Sequence, residues 1–482
     1  MGGAAGQRSS MEPRKEPEAE SWIETEVAAG QFADERHGQR LRRLLEQFSG
    51  KVGAPTPWAC QDWANTKAAY RFFDNDRIDE AQILAGHFAA TRERFAAARS
   101  SPLLVLHDTT EFIYHREDPE SIGLVHRAPN RNKRSRQPPT CGVLMHSSLV
   151  TTPEGQPLGL AAIKFWSRKA FHRAADGKLR TDRTKIPIAG KESARWLENM
   201  RQATALLGDP GRCVHIGDRE SDLYDLFHAA GQADTHFLVR TCTDRLTGAG
   251  GHTVAQVMSA VPVQGLHRVQ GRDKRGKPFT ATLEIRYRRL WIWPPAYKRG
   301  DAPKLSLTVL HAQERDAPQG REKIDWKLLT DLPVLSRKQA IEKLEWYAQR
   351  WKIETFHKIL KSGCRAEEAK LRTYGRLVNL ISILSLLSWR IFWITMLNRT
   401  DPSAPPEMAF TELEQYLLEE LVPDRSPPVK ELANYIDKLA RLGGYLARAH
   451  DPPPGNTVIW RGLSRLTDIQ LGIMIGVQLV GN

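Results

Sequence analysis

Apolar positions recur at helical spacing early in the chain, as at Leu41, Leu44, Leu45 and Phe48, and residues 21–95 are expected to be helical. The period then changes. Leu103, Leu104, Val105 and Leu106 form a short continuous apolar run ending at His107 and Asp108, which is a buried-strand signal. Residues 143–151 and 158–166 read as two more strands, and 192–207 as a helix. Cys213, Val214, His215 and Ile216 make another short strand that ends at Gly217 and Asp218; a helix over 221–230 and a strand over 236–240 follow. Strands and helices in this order predict a mixed α/β core. Residues 243–335 differ: they are rich in Gly, Pro, Arg and β-formers, including 280–287 and 305–311, and predict a β-rich insertion. Helix resumes at Ser336 and continues, with breaks, to about Leu397. A Pro-rich linker at 401–406 precedes a helical tail, 407–482, broken again at 451–455. Residues 1–20 are polar and are expected to be disordered.

One apolar stretch, 377–397, is long enough to cross a bilayer. It carries Asn379, several serines and Arg390, and nothing else in the chain has a membranous composition, so a buried core helix is the expectation. A chain of 482 residues exceeds one ordinary core, and two or three domains are expected. Five scattered cysteines, with no CxxC pair, predict free thiols in a reducing compartment rather than a zinc knuckle, and no signal peptide is expected. Lys plus Arg number 70 against 56 Asp plus Glu, a formal charge of +14 that suits a polyanionic partner, with nucleic acid the first candidate. Arg36, Arg40, Arg42 and Arg43 on the first helical segment are either a solvated face or a DNA-contacting one. Further basic clusters are Arg127, Arg131, Lys133, Arg134 and Arg136, then Lys164, Arg168, Lys169 and Arg173, then Arg272, Lys274, Arg275 and Lys277. Such groups would contribute salt-sensitive, largely non-specific contacts to a phosphate backbone.

Two core strands end in an aspartate, VLHD at Asp108 and VHIGD at Asp218. The carboxyl edge of α/β strands is where chemistry is usually sited, although an Asp there can equally be a turn former or helix cap. Residues 347–361, YAQRWKIETFHKILK, read as one helix. At about 100° per residue, Tyr347, Arg350, Glu354 and Lys361 fall on one face within an arc of roughly 60°, with His357 beside them. That face could be a salt-bridged surface, or a catalytic glutamate flanked by phosphate-binding cations. Phosphodiester cleavage needs an activated nucleophile, a stabilised leaving oxygen and neutralised phosphate charge. Two hard divalent ions held by carboxylates from separate elements can meet all three needs.

The four residues and their spacing resemble the Y-(2)-R-(3)-E-(6)-K signature of the insertion-sequence-four group of bacterial DDE transposases. GDRESDLYDLF at 217–227 is similar to that family's block for the second aspartate, LHDTTEF at 106–112 to the first, and AYRFFDN at 69–75 to its N-terminal DNA-binding domain. The likeness runs from about residue 22 to 400. It implies a helical DNA-end-binding domain at 21–95 and an RNase H-like mixed-sheet catalytic core at 96–400 with its insertion at 243–335. The polar stretch 1–20 stays an expected disordered tail, and the helical domain at 407–482, matched only by position and helical character, is a reasonable dimerisation segment. The tail's apolar positions could equally close an intramolecular core. The resemblance further implies Asp108, Asp218 and Glu354 as catalytic ligands of two magnesium ions, for which manganese substitutes. The reaction implied is nicking at inverted terminal repeats, hairpin formation and resolution, and transfer of the ends into target DNA, by a homodimer on double-stranded DNA in the bacterial cytoplasm, at the nucleoid. Tyr347, Arg350 and Lys361 would contact the DNA end and Arg240 would lie near it. Trp326 would stack a flipped base, or else be a core tryptophan on a strand, with Trp291 and Trp293 as rivals. The other functions weighed are an inactive DNA-binding regulator of transposition and a stand-alone RNase H-like nuclease.

Overall fold

A computed structural model describes residues 22–28, 30, 32–125, 140–168, 188–272, 278–316, 320–423 and 430–480. The N-terminal stretch 1–20 and the basic residues Arg127, Arg131, Lys133, Arg134, Arg136, Lys169, Arg173, Lys274, Arg275 and Lys277 lie outside the described residues.

Five helices come first: α1 (Trp22–Val27), α2 (Glu35–Gly50), α3 (Thr56–Cys60), α4 (Trp63–Phe73) and α5 (Glu80–Ala97). Aspartates start three of them. The side chains of Asp34, Asp62 and Asp79 accept from the backbone N–H groups of Arg36, Asn65 and Gln82, satisfying donors that a helix's first turn leaves unpaired. In α2 the apolar stripe Leu41, Leu44, Leu45 and Phe48 is buried, while Arg36 and Arg43 face outward.

The sheet follows. β1 (Leu103–Tyr114), β2 (Cys141–Thr151) and β3 (Pro157–Trp166) form an antiparallel meander. After α6 (Ala194–Leu207), β4 (Cys213–Gly217) returns to pair in parallel with β1. After α7 (Tyr224–Gln232), β5 (His236–Arg240) pairs in parallel with β4. The period-2 alternation of β1 divides two cores: Leu104 and Leu106 join the large cluster, while Leu103 and Val105 pack with Phe95 of α5 and Ala203 and Leu207 of α6. All of β2 is buried, including its polar residues His146, Ser147, Ser148 and Thr151.

The expected β-rich region continues the same sheet. It comprises β6 (Leu246–Thr247), β7 (His252–Thr253), helix α8 (Val254–Ser259), β8 (Gly265–Arg272), β9 (Pro278–Ile292), β10 (Leu305–Glu314) and β11 (Asp325–Thr330). β11 pairs antiparallel with β5, so one sheet of eleven strands runs β3-β2-β1-β4-β5-β11-β10-β9-β6-β7, with β8 on β9.

Helices then close the molecule: α9 (Arg337–Ala348), α10 (Trp351–Lys358), α11 (Tyr374–Thr400), α12 (Glu412–Leu421), α13 (Leu432–Leu442) and α14 (Asn456–Val480). The apolar stretch at 377–397 lies in α11 and is buried without interruption from Leu377 to Phe392. Its polar groups find partners there. Ser382, Ser385 and Thr395 donate to carbonyls one turn back, and Asn379 donates to the carbonyls of Phe73 and Ile78. Arg390 donates to the carbonyl of Ala409. A helix satisfied in this way is the central rod of a protein core. The architecture is thus mixed α/β, with a large mixed sheet and helical N- and C-terminal parts.

Candidate active site

β1 and β4 pair in parallel, and their last partners are Leu106 and Ile216. Asp108 and Asp218 each stand two residues further on, so the pairing brings both to the same edge of adjacent strands. Their settings differ. Asp108 does not end its strand: β1 continues to Tyr114 along β2, with Asp108 opposite Ser147. The β-formers Phe112, Ile113 and Tyr114 carry the strand past the point where β4 departs. Asp218 opens the short 3-10 turn Arg219–Ser221; its Oδ1 accepts the Glu220 N–H at 2.9 Å.

The expected single helix over 347–361 is three pieces. α9 ends at Ala348, a tight turn at Gln349 and Arg350 leads into α10, and a π turn spans Ile359–Gly363. The register nevertheless keeps three of the four signature residues together. The Arg350 guanidinium lies 2.5 Å from Glu354 Oε1 and 3.9 Å from Asp108 Oδ1. Tyr347 is buried, feels the charge of Arg350, and is set edge-on to Trp326 with ring centroids 5.4 Å apart. Burial raises the Tyr347 phenol above its usual range and opposes the charge on Arg350, but Glu354, Tyr347 and Asp108 together hold that guanidinium raised overall. Lys361 is not part of this group. The π turn directs it to Glu367 at 3.4 Å, whose Oε1 also accepts the Ile113 N–H at 2.9 Å. Arg240 ends β5 and donates to the Asp325 carbonyl at 3.0 Å, and its charge is felt at Tyr347. Trp326 is half-buried on β11; Trp291 is exposed on β9, and Trp293 donates to the Gly248 carbonyl with Lys304 over its ring.

Several further residues join the site. Arg195 on α6 donates from Nε to Thr109 Oγ1 at 3.2 Å and from its other arm to Glu220, so it links the residues that follow both aspartates. It packs against the rings of Trp166 and Trp196; burial lowers its pKa, against the pull of Glu220, Glu192 and Asp218. Asp222, directly after GDRES, is structural: its Oδ1 lies 2.6 Å from Arg245 and its Oδ2 accepts the Cys242 and Thr243 N–H groups at 2.8 Å. His357 on α10 approaches Asp108 Oδ2 to 3.6 Å and meets Ser147 Oγ at 2.8 Å through its other nitrogen. Beneath the carboxylates lie His107, His146 and His215, fully buried and held far below the usual histidine range by desolvation. His107 and His215 share a 2.8 Å hydrogen bond.

Could these residues accept divalent ions? No group of three His, Cys, Asp or Glu among the described residues is gathered closely enough to hold one ion. The donor chemistry nonetheless fits a hard cation. Asp108 is only 16 % exposed, yet among the described residues no hydrogen bond reaches its carboxylate, which faces only Arg350 and His357 at longer range. A nearly buried carboxylate with unused lone pairs calls for a positive partner. Asp218 has one oxygen beyond the Glu220 bond, and Glu354 is held by Arg350 at a half-exposed position.

Comparison with known families adds one finding. Residues 19–78 match a family model described as transposase DNA-binding. The matched stretch includes α1 to α4, and with α4 the AYRFFDN segment. The match supports a transposase with DNA as a partner.

Proposed function

We propose that the chain is a DDE transposase of the insertion-sequence-four group with an RNase H-like core. It would cut the inverted ends of a mobile element and join them to target DNA. The observation that carries this reading is the shared strand edge of Asp108 and Asp218 with Arg350 bridging Asp108 to Glu354. The strand order β3-β2-β1-β4-β5, antiparallel then parallel, supports the RNase H-like part of the reading. The transposase DNA-binding match at 19–78 supports the DNA-end-binding part.

Asp108, Asp218 and Glu354 would hold the two magnesium ions. When bound, the ions lower the pKa of the attacking water or 3′-hydroxyl and neutralise phosphate charge. The protein's own groups supply the rest. Arg350 is held in place by Glu354, and as a planar fork it can exchange a carboxylate for a phosphate of the DNA end. Arg195 anchors the Asp218 turn to β1 and so fixes the spacing of the two aspartates. Arg240 and Lys361 add positive charge at the flanks. Trp326, seated on Tyr347, is the candidate platform for an unstacked base, as hairpin formation requires. A homodimer would bring two ends together.

The test is cleavage of a labelled duplex carrying the inverted repeat that flanks the gene, with magnesium, beside Glu354→Gln. We expect end-specific nicks or hairpins from the wild type and at least a ~10²-fold loss in the variant with end binding retained. Specific binding without cleavage by the wild type would identify a regulator, and cleavage indifferent to end sequence a general nuclease.

A further inference from the structure

The proposed chemistry leaves His357 and Ser147 unused, although both are buried directly beside Asp108. Ser147 is the cross-strand partner of Asp108, so the sheet itself holds it in place. His357 lies three residues after Glu354 on α10, one helical turn along. Its Nε2 is 2.8 Å from Ser147 Oγ, and its Nδ1 is 3.6 Å from Asp108 Oδ2. Facing an anionic oxygen, Nδ1 is the nitrogen that carries a hydrogen; the Ser147 hydroxyl then completes the ring's second position. The 3.6 Å approach exceeds a hydrogen bond, as is common for site contacts before ligands bind.

We propose that His357 is the positioning residue for Asp108. Resting on the reading of Asp108 as a metal ligand, the inference is that Nδ1–H fixes the carboxylate's orientation. Ser147 fixes the ring, and their hydrogen bond ties the helix carrying Glu354 to β2, the strand paired with the one carrying Asp108. Partners of ligating carboxylates tune metal affinity by roughly 10–100-fold.

The experiment is Mn2+ binding to the full-length protein by calorimetry and by electron paramagnetic resonance, with folding of each variant checked by thermal melting. The variants are Asp108→Asn, Ser147→Ala, His357→Asn and His357→Gln. An Asn amide nitrogen overlays Nδ1, whereas a Gln amide nitrogen overlays Nε2. We expect Mn2+ affinity to fall about 10–100-fold in His357→Gln, less in Ser147→Ala, and to stay within a few-fold of wild type in His357→Asn. No nitrogen hyperfine coupling to the ion is expected. Unchanged affinity in His357→Gln while Asp108→Asn loses binding would overturn the positioning role alone. Equal losses in His357→Asn and His357→Gln would do the same, as would a nitrogen coupling that vanishes in both, which would make His357 a ligand. Full Mn2+ binding by Asp108→Asn would overturn the metal role of Asp108 and this inference with it.

Discussion

Arg350 is the hinge of the site at the scale of single residues. One guanidinium touches Glu354, faces Asp108 and is backed by Tyr347, a geometry that needs a planar fork. Arg350→Lys therefore keeps the charge but is expected to lose about 10²-fold in single-turnover cleavage, with duplex binding changed only a few-fold. A lysine variant cutting at the wild-type rate would show that the bridge is dispensable. The buried histidines make a second prediction. Desolvation depresses the folded-state pKa of His107, His146 and His215, whereas the unfolded chain takes up protons at about 6.5. Their contribution to stability is thus fully present above that pH and is withdrawn as pH falls below it. The melting temperature should drop between about pH 7.5 and 5.5, and by less in His215→Asn; equal stability at both would contradict the assignment. The spacing of Tyr347, Arg350 and Glu354 was legible in the sequence, because three and four residues apart means one helical face even across a tight turn. Arg195 and Ser147 were not legible as site residues, because their relevance lies in which strand or turn they touch; helical spacing put His357 beside the signature face, but not against Ser147 and Asp108.

Elements departed from expectation where local geometry changed period. The π turn at Ile359–Gly363 takes Lys361 off the face that a uniform helix assigns it and pairs it with Glu367. Gly363 lies against Trp460 of α14, where an added β-carbon would stand 3.0 Å from the indole ring, so the turn is shaped by a contact with a segment far along the chain. The helical tail shows the same dependence. A β-carbon on Gly443 or Gly462 would stand 2.0 Å from the carbonyl oxygens of Val458 and Leu439, so α13 and α14 meet backbone to backbone. Gly462→Ala is expected to cost about 2–3 kcal/mol in chemical denaturation, as overpacking against rigid backbone does. Gly472, on the same α14, has nothing within 4 Å, and Gly472→Ala should be neutral or slightly stabilising. Similar responses from the two glycines would contradict the close approach.

For the whole molecule, charge and topology act together. The formal charge of +14 predicts that affinity for a terminal duplex falls about 10³-fold or more between roughly 50 and 200 mM salt if six to ten phosphates are contacted. A salt-independent affinity, measured by gel shift, would remove the phosphate backbone as the main source of binding. The sheet is continuous because β11 pairs with β5, which ties Trp326 and Arg240 into one rigid frame with the aspartate-bearing strands. The sequence by itself determined the order of helices and strands, the burial of α11 and the carboxylates worth testing, because period and composition are local properties that each segment carries alone. Tertiary structure decided that the insertion's strands extend the core sheet, that β1 runs on past Asp108, that Lys361 turns to Glu367, and that Arg195, Ser147 and His357 gather at the carboxylates. Those outcomes depend on pairing partners and packing between distant segments, which no local pattern encodes.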